Sequence, residues 1–223
     1  MLPQGIYDAF SPCYHVFIET LMPFMQVAWE VLREMDYYFS HMVLALRDSD
    51  IATYIFTGVT LLADVRFILA ATVVASLALY LWHNRTYIFP LWISVVGSTI
   101  FSVIVKEYVQ RPRPDISLFV ENSFSFPSGH ATVAMVFYGF LMYFLISRAQ
   151  SQIYKFLVAF LGLLTVLAVG FSRVYFGVHY LSDVLGGYLV GMYWLLIAIL
   201  LSQWLLSLKN PPVPEPPLEE KST

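Results

Sequence analysis

The stretch Asp183-Val-Leu-Gly-Gly-Tyr-Leu-Val-Gly-Met-Tyr-Trp-Leu-Leu-Ile-Ala-Ile-Leu-Leu-Ser-Gln-Trp-Leu-Leu-Ser207 carries no charge after its first residue. A helix of roughly 20 residues crosses a hydrocarbon core of about 30 Å, so this run is long enough to span a bilayer and too apolar to stand in water. Working outward from it, comparable runs occupy approximately residues 66 to 82, 87 to 107, 130 to 147 and 153 to 171. A sixth stretch, Ile51 to Ala63, is apolar but short, and reads either as an interfacial segment or as the start of a longer, tilted first span. The whole chain follows the same pattern. It is 59% apolar and 12% charged, with a mean hydropathy of +0.70, where an ordinary globular domain has about 45–50% apolar and about 25% charged residues. The expected fold is all-α, a polytopic membrane helix bundle of five to six transmembrane helices.

The flanks differ from this centre. Residues 1–49 mix aromatic and aliphatic side chains with Glu19, Glu30, Arg33, Glu34, Asp36 and Arg47, the composition of an amphipathic region lying in the membrane interface. A span near residues 14 to 32 is the weaker alternative. No basic region or small-residue cleavage site marks a cleavable signal peptide. Residues 50–208 form the membrane domain, and residues 209–223, with Pro-Pro-Val-Pro-Glu-Pro-Pro after Asn210, read as a disordered proline-rich tail. There is no internal repeat. The net charge of −3 and the lack of a long basic run argue against nucleic acid and against a polybasic lipid patch. Cys13 is the single cysteine, which excludes an internal disulfide.

Ionisable residues recur where the apolar runs end. Lys106 and Arg113-Pro114 close the second long run, and Pro127-Ser128-Gly129-His130 opens the third. Ser172-Arg173 closes the fourth, and His179 and Asp183 open the fifth. Successive spans alternate in direction, so all four ends fall on one side of the membrane and predict a single polar site there. Arg85, Arg148, Lys155, Lys209 and Lys221 fall on the opposite side, against Arg47, Arg66 and Arg111 beside the motifs, so the positive-inside rule turns the motifs outward.

Each residue type suggests a task. Lys106, Arg113 and Arg173 bring three positive charges together, and the Arg fork matches phosphate or carboxylate oxygens. Such a cluster repels itself until an anion binds. Ser128 is placed to cap a helix whose first N–H groups, at Gly129 and its neighbours, point at a phosphate. His179 and Asp183 are four apart on one helical face, so a carboxylate taking the Nδ1 proton leaves Nε2 free to attack phosphorus. His130, from another helix, is placed to protonate the leaving oxygen. Blander readings stand beside these. Lys106 reads equally well as a snorkelling interfacial anchor, and for Arg111 the anchor is the preferred reading. His15, His41 and His83 read as structural, Asp64 and Arg66 as a pair sealing a helix start, and Asp115 and Glu121 as solvated loop residues. Gly187 and Gly191 form a small-residue packing face.

Taken together, Lys106 with Arg113-Pro114, Pro127-Ser128-Gly129-His130, and Ser172-Arg173 with His179 and Asp183 resemble the three-part signature of the type 2 phosphatidic acid phosphatase superfamily, which also includes vanadium haloperoxidases. Phe124-Ser125-Phe126 before the second block, and Ser182 through Gly187 around the third, resemble its bacterial membrane branch. The resemblance implies a metal-independent lipid phosphatase, without cofactor, working through a phosphohistidine. It makes His179 the nucleophile, Asp183 its orienting partner and His130 the general acid. Lys106, Arg113, Ser128, Gly129 and Arg173 would hold the phosphoryl oxygens. No spacing of Asp, Glu or Cys suggests a metal site. The implied partners are a lipid phosphate or diphosphate and the surrounding lipid, with no obligate protein partner. The implied location is the bacterial inner membrane, with the site facing the periplasm. Undecaprenyl diphosphate is the favoured substrate, ahead of phosphatidylglycerophosphate, phosphatidic acid and a lipid A phosphate. A vanadate-dependent haloperoxidase and a non-catalytic lipid-binding or transport protein are the alternatives.

Overall fold

A computed structural model describes residues 22–44, 46–119 and 121–209, and every regular element among them is helical. In chain order these are α1 (Met22–Leu44), α2 (Asp50–Leu61), α3 (Val65–Leu81), a 3₁₀ turn (Arg85–Tyr87), α4 (Ile88–Val109), α5 (Gly129–Arg148), α6 (Gln152–Tyr175) and α7 (Leu181–Lys209). The expected N-terminal region falls within the described residues only from Met22 onward. The proline-rich tail lies outside them.

Helix boundaries follow local chemistry. Ser49 caps α2 by accepting from the Ala52 N–H at 3.3 Å, and Ser151 caps α6 by accepting from Tyr154 N at 3.4 Å. Asp64 caps α3 through the backbone N–H of Arg66 at 2.9 Å, so this acid seals the helix start without the guanidinium pairing expected from the sequence. α4 stops at Gln110, which takes a left-handed conformation (φ 51°), just before Pro112 and Pro114.

Four stretches are each long and apolar enough to cross a membrane: Arg85–Val109, Gly129–Arg148, Gln152–Tyr175 and Leu181–Lys209. α2 and α3 meet that standard only together, bent by 51° at a short break, so the number is four, or five where the pair makes one broken span. The short Ile51 to Ala63 run is thus the first helix of a bent pair, and six separate crossings are not reached among the described residues. α1 does not meet the standard.

α5 is the central helix, packed on α4, α6 and α7. Val136, Phe137 and Phe140 of α5 are buried, while Ile153 and Phe156 of α6 and Leu189 and Tyr193 of α7 are exposed. A bundle with such apolar side chains on its outside has lipid, not water, as its solvent; this is an integral membrane protein. α7 lies against α5 because of the expected small-residue face. A Cβ on Gly187 would stand 2.6 Å from the Ser128 carbonyl oxygen, and one on Gly191 would stand 2.8 Å from that of Thr132. This close approach brings the first turn of α7 to the start of α5.

Candidate active site

The four motif-bearing helix ends meet at one end of the bundle. The Ser128 N–H donates to the Asp183 carbonyl at 2.9 Å, which joins the start of α5 to the start of α7. Lys106, in the last turn of α4, donates from Nζ to the Phe124 carbonyl at 2.6 Å. Its ammonium is held in the site loop and does not reach outward as an anchor would.

His179 stands in the turn between α6 and α7 and is 2% exposed. Its Nδ1 lies 3.6 Å from Asp183 Oδ2, and its Nε2 lies 3.4 Å from Arg113 Nη1. Asp183 is fully buried and accepts from the Tyr180 N–H at 2.8 Å, from Ser125 Oγ, and from Arg111 Nη1 at 2.7 Å. These contacts hold its carboxylate beside Nδ1 and leave Nε2 turned toward the cations. Burial, opposed by the nearby Asp183 carboxylate, pushes the His179 pKa down to about 4, so the imidazole is neutral at pH 7. A neutral imidazole is the nucleophilic form.

Arg113 and Arg173 converge on Glu121, whose carboxylate oxygens lie 2.6 Å and 2.5 Å from their guanidinium nitrogens. Arg113 Nη1 also donates to the Val178 carbonyl at 2.6 Å, and Arg173 Nη1 to Thr60 Oγ1 at 2.9 Å. Burial alone would raise the Glu121 pKa, but Arg173 and Arg113 outweigh it and hold the carboxyl below its usual range. The sequence placed Glu121 in a solvated loop; the correction is that it neutralises part of this cation cluster. Asp115 is exposed, as expected of a solvated loop residue.

Ser128 occupies the N-cap position of α5, yet its side chain makes no capping hydrogen bond, contrary to the sequence expectation. Its hydroxyl is buried without a partner, as is Nε of Arg173. A Cβ on Gly129 would meet nothing within 4 Å, so the space before the helix N-terminus is open. Two unpartnered polar atoms, open space and three cations suit a tetrahedral oxyanion. His130 follows in the first turn of α5. With Lys106, Gly129 and Ser102 it lines an apolar groove of about 320 Å³ between α3, α4 and α5.

The structure therefore brings together Lys106, Arg113, Ser128, Gly129, His130, Arg173, His179 and Asp183. It also adds residues that the sequence reading missed. Arg111, taken for an interfacial anchor, is only 10% exposed and bridges Asp36 and Asp183, at 2.7 Å to each. Ser125 and Asp36 were not singled out as site residues. Ser125 had a signal, since it lies three residues before Ser128. His41 and His83 are exposed, and His15 lies outside the described residues.

Comparison with known proteins places the chain in a family. The PAP2 superfamily profile matches residues 87–207, which contain all eight of these residues. The chain belongs to the PAP2 superfamily. Phosphatidylglycerophosphatase B of Bacillus subtilis (strain 168) is 37% identical over 142 residues, covering 62% of this chain and 69% of that protein. An undecaprenyl-diphosphatase of Sulfolobus acidocaldarius is 32% identical over 91 residues, 41% of this chain but only 36% of that protein's length. The crystal structure of a transmembrane PAP2-type phosphatidylglycerolphosphate phosphatase from Bacillus subtilis superposes with a TM-score of 0.73 at 27% identity, covering 89% of this chain and 98% of that one. As a PAP2 protein with phosphatase relatives, this chain is a membrane phosphatase.

Proposed function

We propose that the protein removes a phosphate from a membrane lipid through a phosphohistidine at His179, without a metal ion. The arrangement of His179 carries this reading: Nδ1 faces a fixed carboxylate, while Nε2 faces guanidinium groups beside an open helix N-terminus. Nε2 attacks phosphorus as the bond from phosphorus to the lipid oxygen breaks, and His130 delivers a proton to that oxygen. Water then attacks the phosphohistidine and gives its proton to His130, phosphate leaves, and Nε2 is regenerated. Lys106, Arg113 and Arg173, with the Ser128 hydroxyl and the Gly129 N–H, take up the charge on the phosphoryl oxygens in both steps.

The apolar groove supports a lipid substrate. It begins at Lys106, Gly129 and His130 and runs along Val65, Leu69, Val96, Ile100 and Val103, all of them exposed on the flank of the bundle. A headgroup can then reach the cations while its chain stays between helices. Phosphatidylglycerophosphate is the first candidate, because the relative with 37% identity and the matching crystal structure are both phosphatases of that lipid. Undecaprenyl diphosphate, favoured from the sequence, is the second reading, supported by the 32% identical diphosphatase. With the site residues Lys106, Arg111, Arg113 and Arg173 set aside, Arg85, Arg148, Lys155 and Lys209 at the other end outnumber Arg33, Arg47 and Arg66 at this one, a small bias that supports an inner-membrane protein with this site on the periplasmic side.

The test is phosphate release by the detergent-purified chain in EDTA, with both lipids, phosphatidic acid and a lipid A phosphate, and with His179→Ala alongside. Release from one lipid, lost in the variant, is the expected result. Activity retained by His179→Ala would overturn the mechanism, and dependence on added magnesium would overturn its independence of metal.

A further inference from the structure

α1 lies outside the residues matched to the PAP2 superfamily, yet it sends one carboxylate into the polar end of the bundle. Asp36 is 2% exposed and shares a buried stripe with Ser40 and Val43, while its neighbours Met35 and Tyr37 are exposed. A charge so buried needs several partners to offset its lost hydration. Asp36 has them. Its Oδ1 accepts from the Ser182 N–H at 2.8 Å, and its Oδ2 accepts from Ser182 Oγ at 2.6 Å and from Arg111 Nη2 at 2.7 Å. Arg111 Nη1 donates in turn to Ser182 Oγ at 2.6 Å and to Asp183 Oδ1 at 2.7 Å. The guanidinium lies 4.3 Å from the Tyr180 ring centroid and 5.5 Å from that of Trp29.

We propose that Asp36 is a positioning residue for phosphoryl transfer, acting through Arg111 and the first turn of α7 on the Asp183–His179 pair. The inference rests on His179 being the nucleophile. Asp183 orients Nδ1 with Oδ2, so any rotation of its carboxylate moves the imidazole. Arg111 fixes Oδ1, but a long side chain does so only if its own far end is held, and Asp36 holds it. Asp36 also divides the guanidinium charge between two carboxylates. Asp183 therefore keeps more of its negative charge for His179, which becomes positive as the bond to phosphorus forms. No contact connects Asp36 to Lys106, Arg113 or Arg173, so its removal should slow the chemical step and leave substrate binding alone.

The experiment measures kcat and KM of the full-length chain in detergent for wild type, Asp36→Asn, Arg111→Lys, the double variant and His179→Ala. Asp36→Asn is a near-isosteric neutral change; Arg111→Lys keeps the charge but loses the fork that reaches both carboxylates. Each single variant is expected to lose about tenfold or more in kcat, because small misplacements of a reacting group cost that much or more. KM should stay within about twofold, and the double variant should be no worse than the poorer single one, as for residues acting in one chain. Wild-type kcat in folded Asp36→Asn, a loss confined to KM, or fully additive losses would overturn the proposal. If Asp36→Asn is not recovered as a monodisperse protein, Arg111→Lys carries the test, and wild-type kcat in it overturns the proposal. Activity in His179→Ala would overturn the underlying mechanism instead. An inactive His179→Ala beside fully active Asp36→Asn would sink this inference alone.

Discussion

Two guanidinium–carboxylate clusters stand on either side of His179, built from the same groups in opposite proportion. On one side, Arg113 and Arg173 share one carboxylate, Glu121, which is 32% exposed. On the other, Arg111 alone is shared by Asp36 and Asp183, whose side chains are 3% and 0% exposed. The first cluster keeps surplus positive charge and has a partly exposed acid that an incoming phosphate can displace. The second has surplus negative charge, and every carboxylate oxygen is engaged by a donor. The proportion of the charges, more than their kind, separates the proposed place for substrate from the place that would hold the proposed catalytic pair still.

The sharpest way to break this comparison is to make the same substitution in both clusters. Arg173→Lys is expected to lower kcat/KM by about 100-fold or more, the usual cost of removing one donor from a transition-state cradle, and to weaken inhibition by inorganic phosphate as well. Arg111→Lys should leave phosphate inhibition nearly unchanged. Equal effects on the phosphate inhibition constant would erase the distinction between cradle and brace.

Acid should separate the clusters next. His179 has its pKa pushed down to about 4 by burial, below the ordinary 6.5, so the folded state binds fewer protons than the unfolded one as pH falls. Its contribution to stability is whole above about pH 6.5 and is lost as the pH falls toward 4. The thermal midpoint of wild type should therefore drop more between pH 6.5 and 4 than that of His179→Gln, which cannot titrate. kcat/KM should show its acid limb near pH 4 in the same samples, and a limb near 6.5 would mean that burial does not govern this histidine.

The smallest expected effect concerns Glu121. Removing its charge takes away an internal competitor for the cradle, so Glu121→Gln should tighten inhibition by inorganic phosphate about threefold to fivefold, in keeping with roughly 1 kcal/mol for a partly exposed ion pair. Arg173 and Arg113 hold the Glu121 carboxyl below its ordinary value of 4.5, so it stays ionised above that pH, and its stabilising effect is lost only as acid titrates it below. The tightening should therefore be present at pH 5 as it is at pH 8. A ratio that returns to one by pH 5 would show that Glu121 has already lost its charge there.

Much of this could be read from the sequence because membrane helices announce themselves, and because charges at their ends are few enough to pair up by side. Lys106, Arg113, Arg173 and His179 were legible on that ground. Arg111 and Glu121 were misread because an ion pair has no local signature: Arg111 looks like any basic residue beyond a span, and the acid it meets on α1 is 75 residues upstream. Asp36 was hidden for a further reason. Its helix carries charges on several faces, and only packing against α6 and α7 decides which of them is buried. The bend between α2 and α3 likewise came from chain geometry, since Asp64 marks a helix start but says nothing of the angle between two axes.

The groove bordered by Lys106, Gly129 and His130 is edged by exposed Val65, Leu69, Val96, Ile100 and Val103, so it opens sideways. A door in the flank makes encounter a two-dimensional search. For a lipid phosphatase the concentration that governs rate is then the mole fraction of substrate in the membrane or micelle. Diluting a fixed lipid dose with inert detergent slows such an enzyme even when the bulk concentration does not change.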